Sequence, residues 1–427
     1  MTKIRPSNSR SFWIAAAAVT VFVYFFGLNV PLVGPDEPRY AQVAREMFLR
    51  GDWITPTLGG FDWFEKPALL YWLQITSFNL FGVSEFSARF GSALFGLGTI
   101  AALWLLGRKI EQVSEEEGRR VAEFANWLAL IAATSLGLAV FSRGASFDII
   151  LTFPMTAAMV CFFLFDLDDA RPGSARKPSG HFLSLFGFYF FIGVALLAKG
   201  LVGIVFPFAI VGAYFLISWR VPSRSFLVSL VWGTLVALAV AAAWYVPMYM
   251  QNSWKFIDEF FIQHHFQRYT SNKYLHPQPF YFFFWVLPLM TIPWLPFFVM
   301  AVWKFGKQVF HRDGTPGMPR AALLRFSAVW LTVPLVFFSF SGSKLPGYIL
   351  SAVPPAIVIA ALYVMQFIRG HGRRASALKA LAMTTFVVLT CVIIFALPKF
   401  ADMDSVEGLI AEADRRGYGD LKVLTMH

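Results

Sequence analysis

Long apolar runs separated by short polar loops recur along the whole chain. Eleven runs have a length of about 17 to 25 residues, which an α-helix needs to cross the hydrocarbon core of a bilayer. They fall at 12–33, 90–107, 124–141, 147–165, 182–198, 201–219, 226–250, 280–303, 326–342, 348–368 and 380–397. Prolines within some runs allow broken or additional helices, so the pattern predicts an all-α polytopic membrane protein with about 11 to 13 transmembrane helices.

The composition also indicates a membrane protein. Apolar residues make up 57% of the 427 positions and charged residues only 14%, whereas soluble domains average about 25% charged residues. Outer-membrane barrels have strands of about ten alternating apolar and polar residues, a pattern that this sequence lacks. Both cysteines lie inside apolar runs, so we predict neither a disulfide framework nor a thiolate metal site. A single soluble domain and an outer-membrane barrel are therefore excluded.

The formal net charge of +11 has two explanations. In a soluble protein, such an excess of Lys and Arg would indicate nucleic-acid binding. Here the basic residues gather in short loops between apolar runs, as the positive-inside rule describes. Placing the N-terminus in the cytoplasm gives the inner loops more Lys and Arg than the outer loops, although two outer loops are much longer. The charge therefore predicts an orientation and no nucleic-acid partner.

The first outer loop, residues 34–89, is predicted to contain two interfacial helices. Asp36 is a candidate N-cap of the first helix, and Gly51 is a candidate terminator. The apolar positions of this helix fall on one face, which suits a helix that lies in the headgroup plane. A second helix follows Pro67 and stops at Gly82. The loop is therefore expected to be structured.

The last residues, 399–427, differ in character from the rest of the chain. Their sequence predicts an amphipathic helix, a glycine turn and the beginning of a β-strand. Because a single strand is not stable alone, we interpret this periplasmic tail as the apparent start of a truncated soluble domain. Residues 1–398 form the predicted transmembrane domain.

Ionisable residues cluster at the predicted outer ends of the spans. Charge at membrane depth is costly, so such residues usually pair with one another or form a functional site. Individual members have structural alternatives, as a helix cap, as lysines that snorkel to the headgroups, or as solvated histidines. Their combination on one face predicts a site for a divalent ion and a phosphate. The cluster comprises Asp36, Glu37, Arg39, Glu65, Lys66, Arg143, Asp148, Lys199, His264, His265, Arg268 and Lys344.

Two types of metal ligand occur in this cluster. Glu65 offers an oxygen atom, and either His264 or His265 offers a nitrogen atom. A mixed set of oxygen and nitrogen ligands suits Zn²⁺ or Mn²⁺ better than Ca²⁺. The sequence therefore predicts a divalent metal, Zn or Mn, and leaves open which histidine binds it.

Four cations of the cluster suit a phosphate group. Arg39, Lys66, Lys199 and Arg268 carry positive charge, and an arginine can bind two phosphate oxygens at once. No glycine-rich nucleotide loop follows a predicted strand. The four cations are therefore candidate phosphate ligands, and the sequence offers no nucleotide-binding loop beside them.

Several segments resemble the aminoarabinose transferases of lipid A modification, which belong to the GT-C superfamily together with the protein O-mannosyltransferases. The most specific segment is GPDEPRYAQVAREMFLRGDWITPTLGGFDWFEKPALLYWLQ at 34–74, where Asp-Glu, Arg-Tyr, GDW and FEKP follow in the family's order. Shorter matches are SRGASFD at 142–148, LAKG at 197–200, QHHFQRY at 263–269 and SGSKLPGYILSAVPP at 341–355. The resemblance covers nearly the whole membrane part and implies a GT-C type helical bundle.

The resemblance also implies roles for individual residues. Of the carboxylates, Asp36 matches the superfamily's catalytic aspartate, and Asp148 matches a polar residue of its cavity. The groups that it places around the donor phosphate are Arg39, Lys66, Lys199, Arg268 and Tyr348. The metal ligands that it implies are Glu65 with His264 or His265.

The implied reaction is sugar transfer from a polyprenyl-phosphate donor to lipid A or a related envelope glycolipid, on the periplasmic side of a bacterial inner membrane. The cations would stabilise the leaving phosphate, because it gains negative charge as its bond to the sugar breaks. Two alternatives stay open: transfer of a hexose to protein Ser or Thr, and transport of a lipid or anion. Transporters usually hold such charges near the bilayer midplane in two related halves, whereas this sequence shows no internal repeat.

Overall fold

The computed structural model describes residues 7–116, 123–170, 178–267, 278–309, 319–404 and 407–418. Within these ranges the chain is almost entirely helical. The helices, α1 to α17 in chain order, are Ser7–Phe25, Asp36–Arg50, Leu69–Phe81, Glu85–Glu116, Phe124–Thr134, Leu136–Phe141, Phe147–Asp169, Pro178–Lys199, Val202–Ile217, Arg224–Phe256, Phe282–Met290, Leu295–Gly306, Pro319–Ser339, Val353–Ile368, Gly372–Cys391, Leu397–Asp404 and Glu407–Arg415.

The other regular elements are short. Strand β1, Thr57–Leu58, pairs antiparallel with β2, Phe61–Asp62. A 3-10 turn, Pro346–Ala352, leads into α14. Two π-helical segments, Ile257–Gln267 and Val392–Ala396, continue α10 and α15.

Seven helices of the described ranges are long and apolar enough to cross a membrane. They are α4, α7, α8, α10, α13, α14 with its 3-10 turn, and α15 with the segments that continue it. The pair α11 and α12, bent by 119°, would make an eighth span, and α1, α5 and α9 are shorter apolar helices. The all-α, multi-pass membrane architecture is therefore confirmed. The total of about 11 to 13 spans is not confirmed and stays a prediction.

Helix α7 lies at the centre of the bundle, packed against α4, α8 and the 3-10 turn. The apolar stretch of α7 is 78% buried, and that of α14 with its turn is 83% buried. By contrast, only 28% of the stretch in α10 and 17% of that in α15 are buried. Large exposed apolar faces of this kind suit contact with lipid. Helices α7 and α14 thus form the core, and α10 and α15 lie at the rim.

The first outer loop contains both predicted interfacial helices, α2 and α3. Gly51 follows α2 with a φ of 65° and Gly82 follows α3 with a φ of 81°, which are conformations that favour glycine. The predicted N-cap is wrong, because Pro35 occupies the cap position and Asp36 is the first helical residue. Proline has a φ close to the helical value and can begin a helix without a side-chain cap. The Asp36 carboxylate is therefore available for other contacts.

Glu46 of α2 holds the hairpin of β1 and β2. Its carboxylate accepts hydrogen bonds from the Thr57 hydroxyl at 2.7 Å and from the backbone amides of Gly59 at 2.7 Å and Gly60 at 3.3 Å. Burial raises the pKa of Glu46, but these bonds and one from Gln42 outweigh it, so the net pKa lies below its ordinary value. The chain leaves this fixed hairpin a few residues before the FEKP motif.

The C-terminal end of α10 packs on the same loop. The Trp244 indole donates a hydrogen bond of 2.9 Å to the Ile54 carbonyl, and Lys255 forms an ion pair with Asp62 at 2.5 Å. Ser253, with a φ of 51°, interrupts the helix just before this ion pair. The hairpin is therefore held from two sides, by α2 and by α10.

The tail begins as predicted, with the amphipathic helix α17 and a glycine turn at Gly417, whose φ is 83°. The predicted strand lies outside the described residues. The Gly34 amide donates a hydrogen bond of 2.5 Å to Asp404, the last residue of α16. The segment that follows α15 thus contacts the loop that leads into α2.

Candidate functional site

The first turn of α2 presents Asp36 and Arg39. Their side chains form an ion pair with 3.3 Å between Oδ1 and Nη1, and the Asp36 side chain is 51% exposed. The guanidinium carbon of Arg39 also lies 5.8 Å from the centroid of the Trp63 ring, which is a cation–π contact. Because Trp63 directly precedes the FEKP motif, this contact joins the helix to that motif.

Asp148 stands in the first turn of α7. Ser146 caps this helix by accepting a hydrogen bond of 3.1 Å from the Asp148 amide. The Asp148 carboxylate forms an ion pair with Lys199, the last residue of α8. A Cβ atom added to Gly347 would lie 1.8 Å from Oδ2 of Asp148. Glycine at this position therefore leaves the space that the carboxylate occupies.

Tyr348 completes this group. The Lys199 ammonium lies 4.9 Å from the centroid of the Tyr348 ring. The side chains of Asp148 and Lys199 are 18% and 15% exposed, so the pair is mostly shielded from solvent. Residues of three distant motifs, SRGASFD, LAKG and SGSKLPGY, thus meet at one point.

Glu65 and Lys66 form a second shielded ion pair. Oε1 and Nζ are 2.8 Å apart, and the side chains are 9% and 13% exposed. The preceding Phe64 packs edge-on against Phe256 of α10, with 6.0 Å between the ring centroids. The hairpin before the motif and α10 beside it therefore fix both charges.

Two buried tyrosines, Tyr40 of α2 and Tyr71 of α3, lie between these groups. Their rings pack edge-on against the first residue of α7, at centroid distances of 4.8 and 5.4 Å. Burial raises the pKa of Tyr40, and the charges of Glu65, Asp36 and Asp148 add to the increase. Burial and Glu65 likewise raise the pKa of Tyr71. Both phenols therefore stay protonated at neutral pH and can donate hydrogen bonds.

Glu37 and Arg143 stabilise the loops around the candidate site. The Glu37 carboxylate pairs with Arg89 of α4 at 2.6 Å and accepts hydrogen bonds from the amides of Val33 at 3.0 Å and Ala145 at 2.7 Å. Arg143 donates to two backbone carbonyls at the end of α1 and just beyond it. These bonds fix the loops that precede α2 and α7.

Lys344 also forms hydrogen bonds to the backbone. Its ammonium donates to the carbonyls of Ser341 at 2.7 Å and Gln278 at 3.1 Å. Burial lowers the pKa of this lysine. Lys344 thus holds the connection between α13 and the 3-10 turn, next to Tyr348.

Three predicted site residues fall outside the described side chains. His264 and His265 lie in the segment Ile257–Gln267, where only their backbone is described, and Arg268 lies outside the described residues. In the described part of the chain, no three His, Cys, Asp or Glu side chains are arranged to hold a metal. The Zn or Mn site therefore stays a prediction.

The structure brings the other predicted site residues to one region. These are Asp36, Arg39, Glu65, Lys66, Asp148, Lys199 and Tyr348. The sequence interpretation missed Tyr40, Tyr71, Trp63 and Gly347. A signal for Tyr40 was its place one helical turn after Asp36, toward the apolar face of α2. The need for glycine at 347 had no local signal, because it arises from the approach of α7.

Comparisons with known sequences identify relatives. A profile of the dolichyl-phosphate-mannose-protein mannosyltransferase family matches residues 12–262. The undecaprenyl phosphate-alpha-4-amino-4-deoxy-L-arabinose arabinosyl transferase of Aeromonas hydrophila is 28% identical, over 91% of this chain and 66% of its own length. The protein of the same name from Shewanella sediminis is 30% identical, over 88% of this chain and 64% of its own. The chain thus spans just under two thirds of the length of these relatives.

Solved structures show the same architecture. ArnT from Cupriavidus metallidurans, crystallised with undecaprenyl phosphate, gives a TM-score of 0.71 at 25% identity, covering 95% of this chain and 72% of that one. The archaeal oligosaccharyltransferase AglB from Archaeoglobus fulgidus gives a TM-score of 0.55 at 15% identity, covering 97% and 59%, and shows the fold alone. The GT-C type bundle is therefore confirmed. By the family profile and this fold, the chain belongs to the dolichyl-phosphate-mannose-protein mannosyltransferase family, within the GT-C superfamily of membrane glycosyltransferases.

Proposed function

We propose that this chain transfers a sugar from a polyprenyl-phosphate donor to lipid A or a related envelope glycolipid. The observation that carries the proposal is the meeting of Asp148, Lys199 and Tyr348, from three separate segments, beside the carboxylate and cation pairs of the first outer loop. The crystallised ArnT of similar fold holds undecaprenyl phosphate. The names of the two arabinosyl transferases favour aminoarabinose as the sugar.

The reaction exchanges one bond at the anomeric carbon of the sugar. The bond to the oxygen of the polyprenyl phosphate breaks, and an acceptor oxygen forms the new bond from the opposite side, which inverts the anomeric centre. The departing phosphate gains about one unit of negative charge. Arg39, Lys66 and Lys199 are fixed positive charges that stabilise the departing phosphate more strongly than the singly charged phosphodiester of the intact donor. Their existing ion pairs hold them in place before the donor binds.

Asp36 is the group best placed to handle a proton. It is half exposed at the start of α2, so an acceptor from outside the bundle can reach it. With a hydroxyl acceptor, the hydroxyl proton passes to the Asp36 carboxylate as the new bond forms. An acceptor phosphate is already ionised and needs only positioning by the cations. The two acceptor types therefore predict different sensitivities to the loss of Asp36.

The divalent metal is part of the proposal. Glu65, with His264 or His265, would hold a Zn²⁺ or Mn²⁺ ion, because a carboxylate oxygen and an imidazole nitrogen suit these metals. Such an ion would supply further positive charge beside the leaving phosphate. In the described part of the site, Glu65 forms an ion pair with Lys66.

We place the site on the periplasmic side of a bacterial inner membrane and the N-terminus in the cytoplasm. The distribution of Lys and Arg between the loops supports this orientation. The exposed carboxylate of Asp36 then faces the compartment in which envelope glycolipids are modified.

Mass spectrometry of envelope glycolipids tests the proposal. The chain is expressed in a bacterial strain that adds no aminoarabinose to lipid A. Wild type is expected to add the mass of one sugar, whereas Lys199→Gln and Asp148→Asn add none, although both variants reach the membrane in normal amounts. Arg108→Gln is the control, because Arg108 is exposed and lies near the C-terminal end of α4, away from the candidate site. Unmodified glycolipids with folded wild-type protein would contradict the proposal.

Protein O-mannosyl transfer is the second candidate. The family profile over residues 12–262 favours it, since that family is named for transfer to protein. The same cells distinguish the two products. A hexose on protein Ser or Thr, together with unchanged lipid A, would favour the second candidate.

A further inference from the structure

Among the cations at the end of the bundle opposite the candidate site are four that contact aromatic rings or lie near one another. They are Lys304 near the end of α12, Arg320 at the start of α13, Arg369 just after α14 and Arg374 at the start of α15. The segment Pro346–Ile368 connects the site to them and has a length of about 35 Å if each of its 23 residues rises about 1.5 Å. This length matches the hydrocarbon core of a bilayer, about 30 Å. The four cations, here called the distal basic group, therefore lie at the headgroup level of the far leaflet.

Within the ranges that the structure describes, no Asp or Glu side chain forms a salt bridge with any of the four members of the distal basic group. Other cations at the same end of the bundle are paired: Arg108 with Glu111 at 2.8 Å, Lys109 with Asp168 at 2.7 Å and Arg220 with Asp166 at 3.0 Å. Among the described residues, these four cations thus differ from the paired cations on α4 and after α9.

Rings and backbone carbonyls fix three of the four cations of this group. The cation–π contacts are Lys304 over Tyr363 at 5.7 Å, Arg320 over Phe305 at 5.9 Å and Arg374 over Phe367 at 4.8 Å. The rings of Phe305 and Tyr363 also contact each other, at a centroid distance of 6.3 Å. Arg320 and Arg374 donate hydrogen bonds of 3.0 and 3.1 Å to backbone carbonyls of α14. Lys304, Arg320 and Arg374 are thus fixed charges that pack against aromatic rings.

Two cations of the group, Arg320 and Arg369, repel each other. Arg369 lies close enough to Arg320 for their positive charges to interact. Like charges near a low-dielectric membrane interior repel more strongly than in water. An ordered phosphate between them removes this repulsion, and a guanidinium group can bind two of its oxygens.

We propose that the distal basic group binds the headgroup of an anionic phospholipid in the far leaflet, which surrounds this end of the bundle. Basic residues near an anionic membrane surface each gain roughly 1 kcal/mol, and basic pockets between transmembrane helices bind anionic headgroups. The apolar face of α12 beside the group is exposed: Val299, Met300, Val302 and Trp303 are 45 to 81% exposed. This face is available for the acyl chains of the same lipid. The proposal is independent of the sugar-transfer reaction.

Native mass spectrometry of the full chain in detergent tests this proposal. The probes are equal amounts of phosphatidylglycerol and phosphatidylcholine of the same acyl composition. Wild type is expected to retain phosphatidylglycerol in preference to phosphatidylcholine. In the variant Lys304→Gln with Arg374→Gln, the ratio of bound phosphatidylglycerol to bound phosphatidylcholine is expected to fall about tenfold. The matched control is Arg108→Gln with Lys109→Gln, which removes two paired cations from the same end. Equal losses in the two double variants would overturn the proposal.

Two further measurements on wild type keep the test independent of the variants' folding. Rising salt concentration is expected to release phosphatidylglycerol, because the attraction is electrostatic. Inorganic phosphate at the concentration of the lipid is expected to leave the bound lipid in place, since it lacks the acyl chains. Retention that is insensitive to salt, or release by inorganic phosphate alone, would show that the group does not recognise a lipid in this way.

Discussion

Glu37 of α2 and Arg89 of α4, 52 residues apart in the chain, form a buried ion pair with 2.6 Å between Oε2 and Nη2. Arg89 also donates hydrogen bonds to three backbone carbonyls of the loop before α2. Glu37 accepts a hydrogen bond from the amide of Ala145, in the loop before α7. The pair therefore joins the segments that position Asp36 and Asp148, the two carboxylates of the proposed reaction.

Loss of this pair is expected to destabilise the whole protein. Arg89→Met leaves the Glu37 carboxylate charged and buried, which should lower the free energy of unfolding by about 3 to 5 kcal/mol. Unfolding in mixed detergent micelles measures the change. Arg415→Met is the control, because its ion pair with Glu412 is exposed and should contribute less than about 1 kcal/mol. Similar losses in the two variants would contradict the structural role of the pair.

Gly347→Ala is expected to disrupt the site without preventing membrane insertion. Its Cβ would occupy the position of the Asp148 carboxylate, so the ion pair with Lys199 must shift. A displacement of about 1 Å in a catalytic group can reduce the rate about 100-fold. The rate of sugar transfer measures the effect. Gly212→Ala, where no neighbouring atom lies within 4 Å, should retain the wild-type rate. Equal rates in both variants would show that Asp148 and Lys199 are not the reacting centre.

Glu46 should stabilise the protein in a pH-dependent way. Its pKa in the folded state is lowered, because the bonds from Thr57, Gln42 and the glycine amides outweigh burial. The unfolded carboxyl group titrates near pH about 4.3, so the stabilisation is complete above that pH and is lost as the pH falls through the lower folded pKa. Thermal unfolding of wild type and Glu46→Gln at a series of pH values measures it. The midpoints should differ at pH 7 and converge in acid. A constant difference at all pH values would rule out the titration of Glu46 as its cause.

The buried tyrosines should make the protein sensitive to alkali. Burial raises the pKa of Tyr40 and Tyr71 in the folded state, whereas phenols of the unfolded chain ionise near pH about 10. The stabilisation that these two protonated phenols give the folded state is therefore present below pH about 10 and is lost as the pH rises above it. Tyr40→Phe should reduce the slope of this alkaline loss, measured by thermal unfolding. Tyr418→Phe, an exposed position, should leave the slope unchanged. Equal slopes in all three proteins would refute this explanation.

Local elements could be predicted from the sequence because their causes are local. Helices α2 and α3 end at Gly51 and Gly82, where a left-handed or extended glycine stops a helix within one turn. The cap at Asp36 was wrong for an equally local reason, since the preceding Pro35 already fits the helical backbone. The apolar runs likewise predicted the membrane class from length and composition alone.

Contacts between helices could not be predicted in the same way. The sequence placed Asp148 and Lys199 at the same end of the bundle, but their direct contact depends on how α7 and α8 pack. It placed Glu37 among the site charges, because nothing near it in the chain indicates Arg89 as its partner. The residues of the site were therefore recognisable, whereas the division between site and framework required the structure.

Binding of the donor's lipid phosphate tests whether the candidate site recognises that group. Undecaprenyl phosphate and the neutral alcohol undecaprenol are each titrated against the purified full chain, and bound lipid is measured by native mass spectrometry. We expect the phosphate to bind more tightly than the alcohol. We also expect Lys199→Ala to remove most of this difference and Arg108→Gln, near the C-terminal end of α4, to keep it. Equal binding of phosphate and alcohol to wild type, or an undiminished preference in Lys199→Ala, would show that the site does not bind the donor phosphate as proposed.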